Sequence, residues 1–163
     1  ILRERLSMKI EVVFVGKTSD KHFGAAIDDY IGRIGHYLPV KLTVIPAIKN
    51  TKNLSEEQQK KAEGDLILAN IGTGDMLVLS DERGKEFRSV DFARWIEGLQ
   101  QHVRKMVMVI GGPYGFSQEV YARADAKLSL SKMTFSHQMV RLILMEQLYR
   151  ACTIIKGEPY HHE

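Results

Sequence analysis

The side chains of this sequence that could do chemistry fall in three turns and one long apolar helix. The turns are Ser80 followed by DERGK, Gly111 followed by GPYG, and Ser131 followed by KMTFS. Each comes after a run of β-forming residues, and open parallel sheets bind ligands beyond the C-terminal ends of their strands. If those strands are neighbours, the turns converge on one edge. Gly111 and Gly112 allow close approach of a ligand to the backbone and permit positive φ, and Gly115 leads towards a helix start. Taken alone, IGGPYG also reads as a tight strand-to-helix turn. It matches neither the GxGxxG fingerprint nor a GxxxxGK[ST] phosphate loop, and no such phosphate loop occurs in the chain.

The helix is expected from about His137 to Lys156. Ser131, Thr134 and Ser136 in the bend before it are N-cap types, and Gly157 with Pro159 stops it. Met139, Val140, Leu142, Ile143, Leu144, Met145, Leu148, Cys152, Ile154 and Ile155 cover most of its circumference. Such a helix is buried or shared between two subunits. Its polar residues Arg141, Glu146, Gln147 and Arg150 must then be paired or used. Glu146 and Arg150 are one helical turn apart, which predicts an ion pair and is also the plainest account of both.

Other chemistries fit less well. His22, His36, His102, His137, His161 and His162 are scattered, and no Cys/His cluster has zinc spacing, so no metal is expected. There is no GxSxG elbow for a hydrolase serine. Cys152, the one cysteine, lies in the apolar helix and reads as an inert core thiol that suits a reducing cytosol.

The elements that must position these residues alternate. Strands are predicted at Met8–Gly16, Lys41–Pro46, Asp75–Ser80, Met106–Ile110 and Lys127–Leu130. Helices are predicted at Asp20–Tyr37, at Ser55–Ile71 with Ser55 and Gln58 as a capping box, after a Ser89 cap, and from Ser117 to about Arg123. Lys49–Leu54 reads as a mobile polar loop and Asp81–Lys85 as a turn. The charged stretch EEQQKK reads as a solvated helix face. The alternation argues for an α/β fold with a mainly parallel sheet and right-handed crossovers.

At 163 residues, 44% apolar and 26% charged, the chain reads as one ordinary soluble domain with a real core. No apolar run approaches the roughly 20 residues of a membrane span. Residues 1–7 read as an upstream extension, with Met8 as the natural start and 8–163 as the domain. The formal charge of +3 allows a nucleic-acid partner without demanding one.

The joint pattern is more specific than its parts. LSDERGK, then VIGGPYGF, then SLSKMTFSHQMVRLILMEQLYRA with the tail GEPYHHE, resembles the SPOUT superfamily of knotted methyltransferases. More narrowly it resembles the YbeA-like ribosomal large subunit methyltransferase H family, described as 23S rRNA pseudouridine-1915 N3-methyltransferases. The resemblance runs from Met8 to Glu163 and is strongest over the last third. It implies an α/β sheet whose C-terminal part threads a trefoil knot that binds S-adenosylmethionine. The walls of that site would be Leu79 and Ser80, Gly111 and Gly112, and the bend Ser131, Lys132, Met133, Thr134, Phe135 and Ser136. Many relatives have Leu where this chain has Ser80, so a backbone contact rather than an apolar side-chain contact is expected there. The resemblance further implies a cytoplasmic homodimer through the last helix, acting on 23S rRNA in the assembled ribosome. Each site would combine cofactor turns from one subunit with substrate residues from the other.

On the substrate side, Arg150 would stabilise the forming uracil anion or hold a phosphate, and Tyr160 would stack on or orient the base. His162 or His161 would take the proton. Some relatives carry Arg in place of His162. His137 could sit by the cofactor or be structural. The alternatives are a non-catalytic knotted factor that binds RNA or ribosomes, and a SPOUT enzyme acting on tRNA.

Overall fold

The computed structural model describes residues 7–162. The extension expected at residues 1–7 therefore lies outside the described residues except for Ser7, which is exposed, as does Glu163. Five parallel strands form one sheet in the order β2-β1-β4-β3-β5. They are β1 (Lys9–Val15), β2 (Val40–Ile45), β3 (Met76–Glu86), β4 (Lys105–Ile110) and β5 (Ala126–Ser129). The helices are α1 (Lys21–Ile34), α2 (Glu56–Ala69), α3 (Ser89–Leu99), α4 (Gln118–Arg123) and α5 (His137–Ile155).

Strand side chains alternate between faces, and the apolar core divides accordingly. Ile10, Val12 and Phe14 of β1 with Met106, Met108 and Ile110 of β4 pack under α1, α3 and α5. Val13, Val15, Val107, Val109, Leu77 and Leu79 point the other way, against Ile67 of α2 and Val120 of α4. This two-sided burial is why the central strands read as near-continuous apolar runs. Among the described residues no helix is long and apolar enough to cross a membrane.

Several sequence expectations are met residue by residue. Ser55 and Gln58 form the reciprocal capping box of α2. Ser117 caps α4 and Ser136 caps α5 through the Val120 and Met139 amides. Two expectations are corrected. The segment Asp81–Lys85 belongs to β3 rather than to a free turn, because Lys85 and Glu86 pair with Leu128 and Ser129 of β5. Ser80 and Lys85 both face Leu128, so residues 81–84 bulge out between them, held by the Asp81 carboxylate accepting from the Arg83 amide at 2.8 Å. Ser89 does not cap α3: Arg88 occupies the cap position, and the Ser89 hydroxyl donates to Gln147 of α5 at 2.9 Å instead. The loop Lys49–Leu54 contains a 3-10 turn at Thr51–Asn53, entered through Asn50 at φ +59°.

Arg141 shows what a buried polar residue of α5 is used for. It is only 3% exposed and pairs with no carboxylate among the described residues. Its guanidinium donates to the Val15 carbonyl at 2.8 Å, the Gly16 carbonyl at 2.9 Å and the Thr18 hydroxyl at 3.1 Å, and lies over the Phe14 ring. It thus satisfies the carbonyls where β1 ends and ties α5 to that end. Arg141→Leu leaves those acceptors without donors and is expected to cost about 2 kcal/mol, read as a lower urea midpoint. An unchanged midpoint would show that water replaces the guanidinium at no loss.

Candidate functional site

Beyond the C-terminal ends of β3, β4 and β5 lies a cleft of about 780 Å³. The three turns meet there because their strands are neighbours in the sheet. Ser80 to Arg83 line one side, Gly111 to Phe116 the base, and Ser129 to Ser131 and Met133 to His137 with Val140 the other side. Two walls were not legible in the sequence. Glu57 and Lys60 of α2 line the cleft as an ion pair at 2.6 Å, within a stretch that reads as a solvated face. Tyr121 of α4 also lines it, donating to the Asp81 carboxylate. Burial, then the bond to Asp81, push the Tyr121 phenol up to about 12, so it stays a donor at neutral pH.

The glycine turn is built by its own residues. The Gly115 amide donates to the Gly112 carbonyl at 3.2 Å across Pro113 and Tyr114, and Gly115 takes φ +83°. Positive φ belongs to Gly115, not to Gly111 or Gly112. Those two are glycines for room: a Cβ on Gly111 would lie 2.8 Å from the Phe116 ring, and one on Gly112 2.7 Å from the Glu63 carboxylate. In the polar bend, the Ser131 hydroxyl accepts from the Met133 amide at 2.9 Å, which curls the backbone towards the cleft.

The expected cofactor residues divide. Ser80, Gly111, Gly112, Ser131, Met133, Thr134, Phe135 and Ser136 all line the cleft. Leu79 does not: its side chain is fully buried in the core towards α2 and α4. Lys132 is exposed and is not part of the cleft lining.

A second group of functional candidates forms at the far end of α5. Gly157 at φ +71° closes the helix, with its amide on the Ile154 carbonyl and the Glu158 amide on the Thr153 carbonyl at 3.0 and 2.9 Å. This closure turns the tail back over the helix. Arg150 donates to Glu146 Oε1 from Nε and Nη2 at 3.1 and 2.6 Å, as the spacing predicts. Its guanidinium also lies 4.9 Å from the Tyr160 ring centre. The Tyr160 hydroxyl donates to the same carboxylate oxygen at 3.2 Å, and its phenol is pushed up to about 12, chiefly by burial. His161 Nδ1 accepts from Arg150 Nη1 at 3.0 Å, because a guanidinium only donates. Nδ1 is thus occupied and cannot act as a base while this contact lasts. His162 is exposed and takes part in no hydrogen bond among the described residues.

The two groups are apart within one chain. None of Arg150, Tyr160, His161 and His162 lines the cleft. Val140, the last residue of α5 that does, precedes Arg150 by ten helical residues, or about 15 Å of helix.

Comparison with known proteins shows the family. A family model described as "Predicted SPOUT methyltransferase" matches residues 8–161. The chain belongs to the SPOUT methyltransferase family. It is 57% identical over 157 residues to the ribosomal RNA large subunit methyltransferase H of Phocaeicola vulgatus, covering 96% of this chain and 100% of the relative. The protein of the same name from Christiangramia forsetii is 54% identical, over 95% of this chain and 99% of its own length. Among solved structures, a probable methylase family protein from Haemophilus influenzae Rd KW20 superposes with a TM-score of 0.54 at 13% identity. That match covers 94% of this chain and 70% of that one, and at such identity the likeness is one of fold. Membership makes the cleft the place to look for a methyl donor. Its lining sets apolar Ile110, Leu130 and Val140 beside serine hydroxyls, carboxylates and backbone turns.

Proposed function

We propose that this protein uses S-adenosylmethionine to methylate N3 of pseudouridine 1915 in 23S rRNA of the assembled ribosome. It works in the cytoplasm as a homodimer joined through α5, and the C-terminal part of each subunit carries the family's trefoil knot. The observation that carries the reading is the separation just described. A cleft suited to the donor and a basic, aromatic cluster suited to a nucleotide stand about 15 Å of helix apart in one chain. A two-fold partner packed along α5 would bring one subunit's cluster to the other's cleft. The helix presents a face for this: Met139, Leu142, Ile143, Glu146, Arg150 and Ile154 follow helical spacing and are only part-buried.

Bound S-adenosylmethionine would supply an already activated methyl group. The protein's residues are then left with positioning, water exclusion and one proton. Thr134, Phe135 and Val140 with the glycine turn shape and close the donor side. The nucleophilic nitrogen must lose its proton, and Arg150 offers the cation that stabilises the resulting uracil anion. Tyr160, protonated at neutral pH, can stack on or donate to the base but cannot accept that proton. Its acceptor is assigned to His162, the tail imidazole free of other hydrogen bonds among the described residues.

The test is transfer of labelled methyl from S-adenosylmethionine to purified acceptors. Assembled ribosomes should accept the label, and free 23S rRNA much less, because one weakly basic domain makes few phosphate contacts. Label on tRNA instead, or on no acceptor despite donor binding, would replace this reading with one of the two alternatives.

A further inference from the structure

The residue of this fold with the least obvious purpose is Glu63 of α2. It is 4% exposed, in a helix whose other charged residues face water or the cleft rim. Gly64 beside it brings α2 hard against α4, since a Cβ there would lie 2.5 Å from the Ser117 hydroxyl. The Glu63 carboxylate is thereby pressed behind the glycine turn, with its oxygens 2.7 and 2.8 Å from where a Gly112 Cβ would be. A single donor reaches it among the described residues, the neutral Gln59 amide at 3.2 Å. The nearest helical cation, Lys60, is committed to Glu57 at 2.6 Å. A buried carboxylate with so little compensation is costly unless a positive charge arrives from elsewhere. Gly112 lines the cleft, and the carboxylate stands where a side chain at Gly112 would be.

We propose that Glu63 makes the cleft selective for a cationic occupant over a neutral one. This rests on reading the cleft as the donor site. S-adenosylmethionine carries a sulfonium charge, and S-adenosylhomocysteine, left after transfer, does not. The buried carboxylate holds the charged donor, and its hold lapses when the methyl leaves, which favours exchange of product for fresh donor. The other charged residues on the cleft wall are already engaged or rim-placed: Glu57 with Lys60, Asp81 with Tyr121, and Glu82 and Arg83 on the exposed bulge. Glu63 acts through the thickness of Gly112, in a low-dielectric setting where a charge is felt strongly.

Titration calorimetry of the full chain with both ligands tests this. Glu63→Gln keeps the shape and removes the charge. It should weaken S-adenosylmethionine roughly tenfold and leave S-adenosylhomocysteine within about twofold, while Glu63→Asp keeps the wild-type preference. Equal weakening of both ligands in Glu63→Gln, or no change in either, overturns the proposal in favour of a packing role. Should Glu63→Gln fail to fold, Glu63→Asp decides: a preference lost with the charge retained overturns it, and a preference kept supports it. Wild-type protein that binds neither ligand would instead sink the donor-site reading itself.

Discussion

Arg150→Ala is expected to lower methyl transfer by a hundredfold or more, on the order of the loss seen when one charge-stabilising donor is removed from an active site. Donor affinity should stay within about twofold, since Arg150 lies about 15 Å along α5 from the cleft of its own chain. Stability should fall by only about 1 kcal/mol, because the Arg150–Glu146 pair is partly exposed at 24% and 22%. The sharper form of the experiment uses two inactive proteins. Gly112→Val drives a side chain into the Glu63 carboxylate and should remove donor binding. Mixed and allowed to exchange subunits with Arg150→Ala, it should restore activity. In a two-fold dimer with shared sites, half the dimers are mixed and each holds one intact site, so recovery approaches about a quarter of wild type. No recovery in a mixture proven to exchange would mean that each site is built within one chain. Full activity in Arg150→Ala and in His162→Ala would remove both residues from the mechanism.

Gly84→Ala should be among the most damaging substitutions in the sheet, at about 3 kcal/mol or failure to fold. An added Cβ would lie 2.7 Å from the carbonyl carbon and nitrogen of Leu128 and from the carbonyl carbon of Lys127. All three are backbone atoms of β5 or its start, so no rotamer change relieves the collision and the strands must part. Parting them disturbs the pairing of Ser80 and Lys85 with Leu128, and with it the bulge that forms one wall of the cleft. Donor affinity should therefore fall along with the urea midpoint. Gly98→Ala in α3 is the control, because nothing stands within 4 Å of its added methyl. It should stabilise the protein by up to about 1 kcal/mol through helix propensity. The same change with opposite signs at two glycines would separate close approach from chain entropy, and equal mild effects would refute the packing account of Gly84.

Much of this was written in one dimension. Strand and helix identities followed from runs and spacings that a core on both sides of a sheet demands, and the caps at Ser55, Ser117 and Ser136 act within three residues of themselves. The Glu146–Arg150 pair is likewise one helical turn, so spacing alone determined it. The misreadings share one cause. The DERGK stretch is polar and turn-like by composition, yet β5, forty residues away, recruits its end into the sheet. Ser89 has the chemistry of a cap, yet Gln147 across α3 and α5 offers it a partner. Leu79 sits in a motif that points to the cleft, but strand alternation turns its side chain to the core. Only the folded chain decided that α2 walls the cleft, that Glu63 stands behind Gly112, and that the tail cluster is remote from the turns it follows in sequence. Local hydrogen bonds and periodic burial are encoded within a few residues. Which distant surfaces meet depends on strand order and on how far a helix carries its ends apart, and those are properties of the whole packed sheet.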